Sequence, residues 1–329
     1  MDRIGIGVIG CGTVAGYGHL PATVSVPLVE LKAVADINRE RVRKVAEKYG
    51  VEAYTDYRGL LKRKDIEAVI VATPTFTHAQ IVVDAAKQGK HVLCEKPIAM
   101  TLEEADKMIK TAEDYGIKLA IGFTRRSSNS FIKIKELLDK GIIGNLVYIK
   151  QVSDWCGPIW AGHERYKWMI NKGGGPLIDS AVHDFDLLRW YSGSEAERVY
   201  AGGRYLKKNI VYPDHVNVIV TMKNGVIGYI EHSWGYWKAS HTVFHVVGEK
   251  GVIIREDKVT KVVTEEGIET FETPSDEDRF KIQLESFARA IRGEGEVRAT
   301  GLDGKLALEI ALAALKSIKT GKVVKIKRF

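Results

Sequence analysis

The first 123 residues alternate short apolar runs with amphipathic stretches. IGIGVIG, LKAVADI, AVIVAT, HVLCE and KLAIGF are nearly continuously apolar and bounded by polar or glycine positions, as strands buried on both faces of a parallel sheet are. Between them RERVRKVAEKYG, THAQIVVDAAKQG and LEEADKMIKTAEDYG carry a helical period and stop at glycine. This alternation predicts a doubly wound domain over 1–123. After Phe123 the pattern changes. SFIKIKELLDKG is one more amphipathic helix, and then NLVYIKQVSDW, VNVIVTMKNG, VIGYIEHSWGY and TVFHVVGEKG alternate as half-buried strands do. VTMKNGVIGYI sets Asn-Gly between two apolar runs, a strong hairpin signal. FKIQLESFARAIRG and LDGKLALEIALAALKSIKTG predict long helices, and VVKIKRF a last strand. Residues 124–329 are thus expected to form a second domain around a mostly antiparallel sheet.

One segment breaks the pattern. GGGPLIDSAVHDFD predicts a helix entered through glycines and Pro176 at its first position. On one continuous helix Asp179, His183 and Asp186, at i, i+4 and i+7, would share an arc of roughly 60°. Leu177, Ile178, Ala181, Val182, Phe185 and Leu188 cover most of the remaining circumference, which marks the helix as buried. Two carboxylates and an imidazole in a line on a buried helix need a partner or a function.

Composition narrows the classes. Hydrophobic residues make up 45% and charged residues 28% of 329, as in soluble globular domains. No apolar run reaches the ~18 residues of a membrane span, and MDRIGIGVIGCG reads as a structural strand rather than a leader. No membrane partner is expected. Three cysteines, few and far apart, suggest reduced thiols and a cytoplasmic location. The net charge of +7 is spread along the chain without zinc-finger spacing or an aromatic–basic RNA signature. It is read as a solvated basic surface, or as attraction of anionic substrates and cofactor phosphates, rather than as nucleic-acid binding.

The turn after the first strand, GVIGCGTVAGYGHLPA, matches the dinucleotide fingerprint G-x-G-x-x-G/A with Gly10, Gly12 and Ala15. Gly10 permits the tight turn, Gly12 lets a pyrophosphate approach the backbone, and Ala15 lets helix pack on strand. Thr13 and Val14 open the helix, whose free N–H groups and positive dipole end suit phosphate. Asp36 ends the second strand, where a carboxylate accepts from the adenosine ribose hydroxyls and repels a 2′-phosphate. NAD is therefore the expected cofactor. NADP is the alternative, since Arg39 and Arg41 follow closely. As a structural alternative, Asp36 or Asn38 caps the next helix.

Glu95-Lys96-Pro97 follows HVLCE at a carboxyl edge of the expected sheet, where α/β folds bind ligands. Together GCGTVA, VATPTFTHAQIVVDAAKQGKHVLCEKP, GFTRR and GGGPLIDSAVHDFD resemble the glucose–fructose oxidoreductase, inositol dehydrogenase and rhizopine-catabolism family over nearly the whole chain. That resemblance implies an α/β fold with an N-terminal Rossmann domain. It also implies a C-terminal α/β domain whose large open sheet forms the substrate site and commonly an interface, hence a homo-oligomer, dimer or tetramer. The implied activity is hydride exchange between a nicotinamide cofactor and a hydroxyl-bearing carbon of a sugar, sugar derivative or cyclitol. Lys96 corresponds to the family's active-site lysine, and Asp179 and His183 to the remaining active-site pair. Thr73, Pro74, His78 and Glu95 are placed beside the cofactor, and Asp186 near the substrate.

The chemistry agrees with those roles. Oxidising a secondary alcohol removes the hydroxyl proton as hydride leaves, a task for an imidazole titrating near neutrality. His183 is the general base on this reading, Asp179 orients it or binds a neighbouring hydroxyl, and the Lys96 ammonium stabilises the reacting oxygen. Lys96 is the alternative proton carrier, and the sequence does not choose. Arg125 and Arg126 follow the last Rossmann strand, and Arg126 is a candidate for an anionic substrate group, with salt bridging as the alternative. Trp155, Trp160, His163, Tyr166 and Trp168 are candidates for a substrate wall, with core packing as the alternative; so are Trp234, Tyr236 and Trp237. A metal at Asp179 and His183 is not expected, because no His-rich or Cys-rich partner segment accompanies them. Two rival functions share the fold: an NAD-dependent glycosidase working by transient oxidation, and a sugar-sensing regulator without activity.

Overall fold

A computed structural model describes residues 3–155, 167–206, 210–236, 239–256 and 258–326. They form two compact units, one reaching Ser128 and including Glu277–Lys305, the other made of Asn129–Asp276 and the residues from Leu306 on. The boundary expected at 123/124 therefore moves, and neither unit is continuous in sequence.

In the first unit six strands pair in parallel: β1 (Ile4–Ile9), β2 (Val29–Ala35), β3 (Glu52–Tyr54), β4 (Ala68–Val71), β5 (His91–Cys94) and β6 (Leu119–Ile121). Their order is β3-β2-β1-β4-β5-β6, so it reverses between β1 and β4 and opens a crevice at their carboxyl ends. Every residue of β1 and β4 is buried, as their unbroken apolar runs predict. Strand β3, EAY, was not foreseen: it is a short, largely exposed edge with no apolar run to signal it. The helices are α1 (Leu20–Ser25), α2 (Arg39–Tyr49), α3 (Tyr57–Leu61), α4 (His78–Lys87) and α5 (Leu102–Asp114). Asn38 caps α2 by accepting from the Arg41 N–H, and Thr101 with Glu104 forms a capping box on α5.

The helix Arg279–Ile291 belongs with this unit because of its apolar face. Phe280, Leu284, Phe287 and Ala288, at i, i+4, i+7 and i+8, are buried in the same cluster as Leu20, Val26 and Val29. Its amphipathic period was legible, but which core its stripe would join was not.

Among the described residues the second unit has one nine-stranded sheet. Its strands are β7 (Leu146–Trp155), β8 (Ala196–Arg204), β9 (His215–Met222), β10 (Ile227–Ser233), β11 (Ser240–Gly248), β12 (Gly251–Arg255), β13 (Val259–Thr264), β14 (Gly267–Glu272) and β15 (Val324–Lys325). The order is β14-β13-β12-β11-β7-β10-β9-β8-β15. β7 and β10 pair in parallel and the other neighbours antiparallel. The Asn224-Gly225 hairpin forms as expected: the Met222 N–H donates to Val226 O at 2.8 Å, and Gly225 sits at φ 88°. The helices include α6 (Asn129–Asp139), α7 (Lys167–Lys172), α8 (Gly175–Asp179) and α9 (Val182–Ser192). α9 lies against the sheet so closely that a Cβ on Gly228 would come within 2.4 Å of Leu188 Cδ2. Gly228, Ile230 and His232 thus face α9, while Tyr229, Glu231 and Ser233 face away. Among the described residues no helix is long and apolar enough to cross a membrane.

Candidate active site

At the crevice of the first unit, Gly10 adopts φ 94°, and a Cβ there would come within 2.4 Å of Ala72 O at the end of β4. Only glycine meets both demands. Around the Cβ direction of Gly12 there is no atom within 4 Å, which is the open approach a pyrophosphate needs. Ala15 is fully buried, Thr13 is exposed, and Val14 packs partly on the core. Asp36 follows β2 and is 8% exposed. Its carboxylate accepts from Cys11 N–H and Asn38 N–H, each at 2.8 Å, and Arg41 Nη1 stands 3.2 Å from Oδ2. The cap of α2 is therefore Asn38, and Asp36 is fixed at the edge of the glycine turn. These residues fit a dinucleotide: a glycine cradle for its phosphates and a positioned carboxylate for its ribose. Burial, then the Asp36 charge, pushes the Cys11 thiol up to about 12, so that sulfur is inert.

The loop after β4 carries Thr73 and Pro74, both half-buried. His78 is buried with Nδ1 2.9 Å from Pro97 O and Nε2 2.9 Å from Thr73 O. Its ring spans two backbone segments and ties the loop after β4 to Pro97. Burial pushes its pKa down against the pull of those carbonyls.

After β5 the Glu95 carboxylate, 7% exposed, accepts from His19 Nε2 at 2.7 Å and from the Lys96 N–H at 3.2 Å. Burial acts to raise its pKa, but the His19 hydrogen bond and charge and the nearby Lys96 hold it below the ordinary value. His19 was missed by sequence reasoning. It ends a π-helical turn, Ala15–His19, inside the glycine-turn helix, a distortion that no residue pattern announces. Lys96 itself is half-buried, and the Lys96–Pro97 peptide is cis.

In the second unit the continuous helix expected from Pro176 is two helices. Gly174 and Gly175 take φ 83° and 67°, and Pro176 occupies the second helical position rather than the first. The ladder then breaks: Ala181 N–H bonds back to Pro176 O at 2.7 Å, and His183 N–H to Ser180 O at 3.2 Å. Asp179 therefore closes α8 while His183 lies in the first turn of α9, with a break in the hydrogen-bond ladder between them. Ser180 Oγ donates to Asp179 Oδ2 at 2.9 Å. His183 is half-buried, whereas Asp184 and Asp186 are 2% and 1% exposed. Asp184, not singled out from sequence, brings Oδ2 to 3.1 Å from His232 Nε2 on the sheet. Asp186 Oδ1 is 3.9 Å from Arg189 Nη1, and Arg189 forks onto Glu195 with two 2.7 Å bonds.

Two of the substrate candidates have charged neighbours in their own units. Asp186 lies in α9, within reach of the Arg189 guanidinium. Arg126 is buried in the first unit, donating to Asp303 Oδ1 and Arg298 O, each at 3.0 Å. Its alternative reading as a salt-bridge residue is the one realised. Trp168 is half-buried in α7; Trp160, His163, Tyr166 and Trp237 lie outside the described residues. Trp234 is a core residue at 1% exposure, with Trp155 edge-on at 6.4 Å.

Comparison with known proteins places these features in context. Residues 4–123 match a family model described as an oxidoreductase family with an NAD-binding Rossmann fold, and residues 131–254 match the GFO/IDH/MocA C-terminal domain. The chain is 31% identical over 338 residues to myo-inositol 2-dehydrogenase of Thermotoga maritima, covering 98% of each protein. It is 31% identical over 327 residues to the rhizopine catabolism protein MocA of Rhizobium meliloti, covering 95% of each. The solved structure of a probable dehydrogenase from Thermotoga maritima superposes with a TM-score of 0.85 at 30% identity, covering 98% of each chain.

Proposed function

Because the chain belongs to the GFO/IDH/MocA family of NAD-binding oxidoreductases, we propose that it is a dehydrogenase of a cyclitol, sugar or sugar derivative. The observation that carries this reading is the placement of Lys96. It follows Glu95, which His19 anchors at 2.7 Å, at the carboxyl edge beside the strand-order reversal. NAD, when bound, supplies the hydride acceptor at nicotinamide C4. Gly10, Gly12 and the helix start at Thr13 and Val14 would hold its phosphates and Asp36 its ribose, with Thr73, Pro74 and Glu95 beside it and His78 tying that loop to Pro97.

The chain's own residues divide the remaining work. The Lys96 ammonium hydrogen-bonds the substrate oxygen and stabilises its developing charge. His183 takes the hydroxyl proton at a ring nitrogen and returns it in the reverse direction. Asp179 orients the substrate hydroxyls or the imidazole, and Trp168 contributes to the substrate wall.

We read the assembly as a homo-oligomer formed through the sheet of the second unit. The exposed Tyr148 and Ile227 are register partners on the face away from α9, as are Tyr200 and Ile219. The buried free thiols Cys11 and Cys94 suit a cytoplasmic location.

The test is a spectrophotometric screen at the NADH absorbance of cyclitols, aldoses and nucleotide sugars with NAD and NADP in parallel. A dehydrogenase accumulates NADH on at least one polyol. A glycosidase instead releases sugar without net NADH, and a sensor binds cofactor with no turnover on any compound; either result overturns the reading. On the confirmed substrate, Lys96→Ala and His183→Ala should each lower kcat by about 10²–10⁴-fold. Loss of only a few-fold in both removes the role assignment.

A further inference from the structure

On the face of the second unit's sheet away from α9, three neighbouring strands bring two carboxylates and an imidazole together. Asp154 on β7 is in register with Ser233 on β10, and Ser233 with His215 on β9. Glu231 lies two residues before Ser233 on the same face. One carboxylate oxygen of Asp154, one ring nitrogen of His215 and one carboxylate oxygen of Glu231 all lie within 4.8 Å of one another. Asp154 is 5% exposed, and its Oδ1 is buried without a hydrogen-bond partner. Such an oxygen is costly unless something positive meets it. The Asn217 amide stands 3.1 Å from His215 Nε2; turned so that its Oδ1 accepts the Nε2–H, it leaves Nδ1 unprotonated for an ion. On the other side His241 of β11, in register with Asp154, sets Nδ1 3.8 Å from Asp154 Oδ2.

We propose that Asp154, His215 and Glu231 form a binding site for a divalent transition-metal ion of the zinc type, with His241 as a further ligand. Imidazole beside carboxylate selects zinc, cobalt or nickel over magnesium and calcium, which prefer oxygen alone. Zinc holds such atoms at about 2.0–2.2 Å, so the cluster needs to close by roughly 1 Å. The half-buried side chains of His215 and Glu231 allow that closure by small rotamer shifts. The ion gives Asp154 Oδ1 its missing partner and offsets the repulsion from Glu231. It also clips β7, β9 and β10 together with ligands from one chain, so it needs no second copy. Lys96, Asp179 and His183 take no part in it.

The experiment uses the tag-free full chain, stripped with chelator and titrated with zinc chloride by calorimetry, and with cobalt chloride by visible absorption. One zinc per chain is expected, together with cobalt ligand-field bands of a low-coordinate nitrogen–oxygen site. Asp154→Asn, Glu231→Gln and His215→Ala, each checked for folding by circular dichroism, should weaken binding at least tenfold, what loss of even an outer partner costs. His245→Ala, on the same sheet face, should bind zinc like the wild type. The proposal is overturned if the wild type takes up no stoichiometric zinc at tens of micromolar. It is equally overturned if the three folded variants bind as the wild type does, or if His183→Ala abolishes binding while Asp154→Asn leaves it intact.

Discussion

The glycine turn of the first unit and the helix pair from Gly175 to Ser192 of the second both hold candidate active-site residues, but by different means. At the turn, backbone decides. Gly10 is required by a positive φ and by Ala72 O, Gly12 opens onto space, and Asp36 is fixed by two main-chain N–H groups. In the helix pair, side chains decide. Four ionisable groups fall between 179 and 186, and packing sorts them: Asp184 beside His232, Asp186 within reach of Arg189, with Asp179 and His183 on either side of a broken turn. Sites made by strand ends and glycines are robust to their neighbours. Sites made by adjacent side chains depend on which face each residue reaches.

The sharpest way to break that contrast compares two adjacent residues. His183→Ala should lower kcat by about 10²–10⁴-fold with little change in melting temperature. Asp184→Ala should do the reverse, destabilising by about 3 kcal/mol because a buried histidine loses its charged neighbour, with kcat per folded molecule near wild type. Parallel thermal melts and steady-state kinetics decide it. If Asp184→Ala proves inactive but stable, the sorting of the two residues is wrong.

Much of the first unit was legible beforehand, because apolar runs, glycines and strand-end motifs are local signals. Gly10, Gly12 and Ala15 could be placed from spacing alone. The misreadings share a cause: each depended on a distant partner. Arg126 meets Asp303 and the Arg298 carbonyl across 177 and 172 residues of sequence, contacts that its position after a Rossmann strand does not announce. The helical stripe assumed one unbroken ladder, and neither the i−5 bond from Ala181 nor the His232 partner of Asp184 leaves a mark on residue spacing. His19 became visible only once β5 brought Glu95 to it. The cluster of Asp154, His215 and Glu231 lies on three strands and follows no linear ligand motif.

Arg126 supplies the next test. Arg126→Ala should destabilise the first unit by about 2–3 kcal/mol through loss of charged hydrogen bonds while leaving the substrate KM unchanged. A large rise in KM without loss of stability would return it to the substrate. A smaller effect is expected at the cofactor. Asp36→Asn keeps the side-chain shape but removes the charge. It should raise KM for NAD about tenfold, the value of one charged hydrogen bond, and narrow the preference over NADP. Unchanged cofactor selectivity would mean that Asp36 only braces Cys11 and Asn38.

The smallest effect separates structure from chemistry behind Lys96. Glu95 has a folded pKa below its ordinary value of 4.5, against the effect of burial and because His19 and Lys96 favour its charged form. Below that value the unfolded state binds more protons than the folded one, so stability falls as pH drops through 4.5 toward the folded pKa. Above 4.5 the contribution of Glu95 is fully present. Glu95→Gln cannot ionise and should lack this acid limb. The gap in melting temperature between wild type and Glu95→Gln should therefore be widest near neutral pH and shrink as the pH is lowered below 4.5. A gap of the same size at pH 3 and pH 7 would mean that the 2.7 Å contact with His19 does not depend on the carboxylate's charge. The anchor of Lys96 would then rest on packing around Gly122, where the Glu95 side chain lies 3.0 Å from the Cβ direction, rather than on electrostatics.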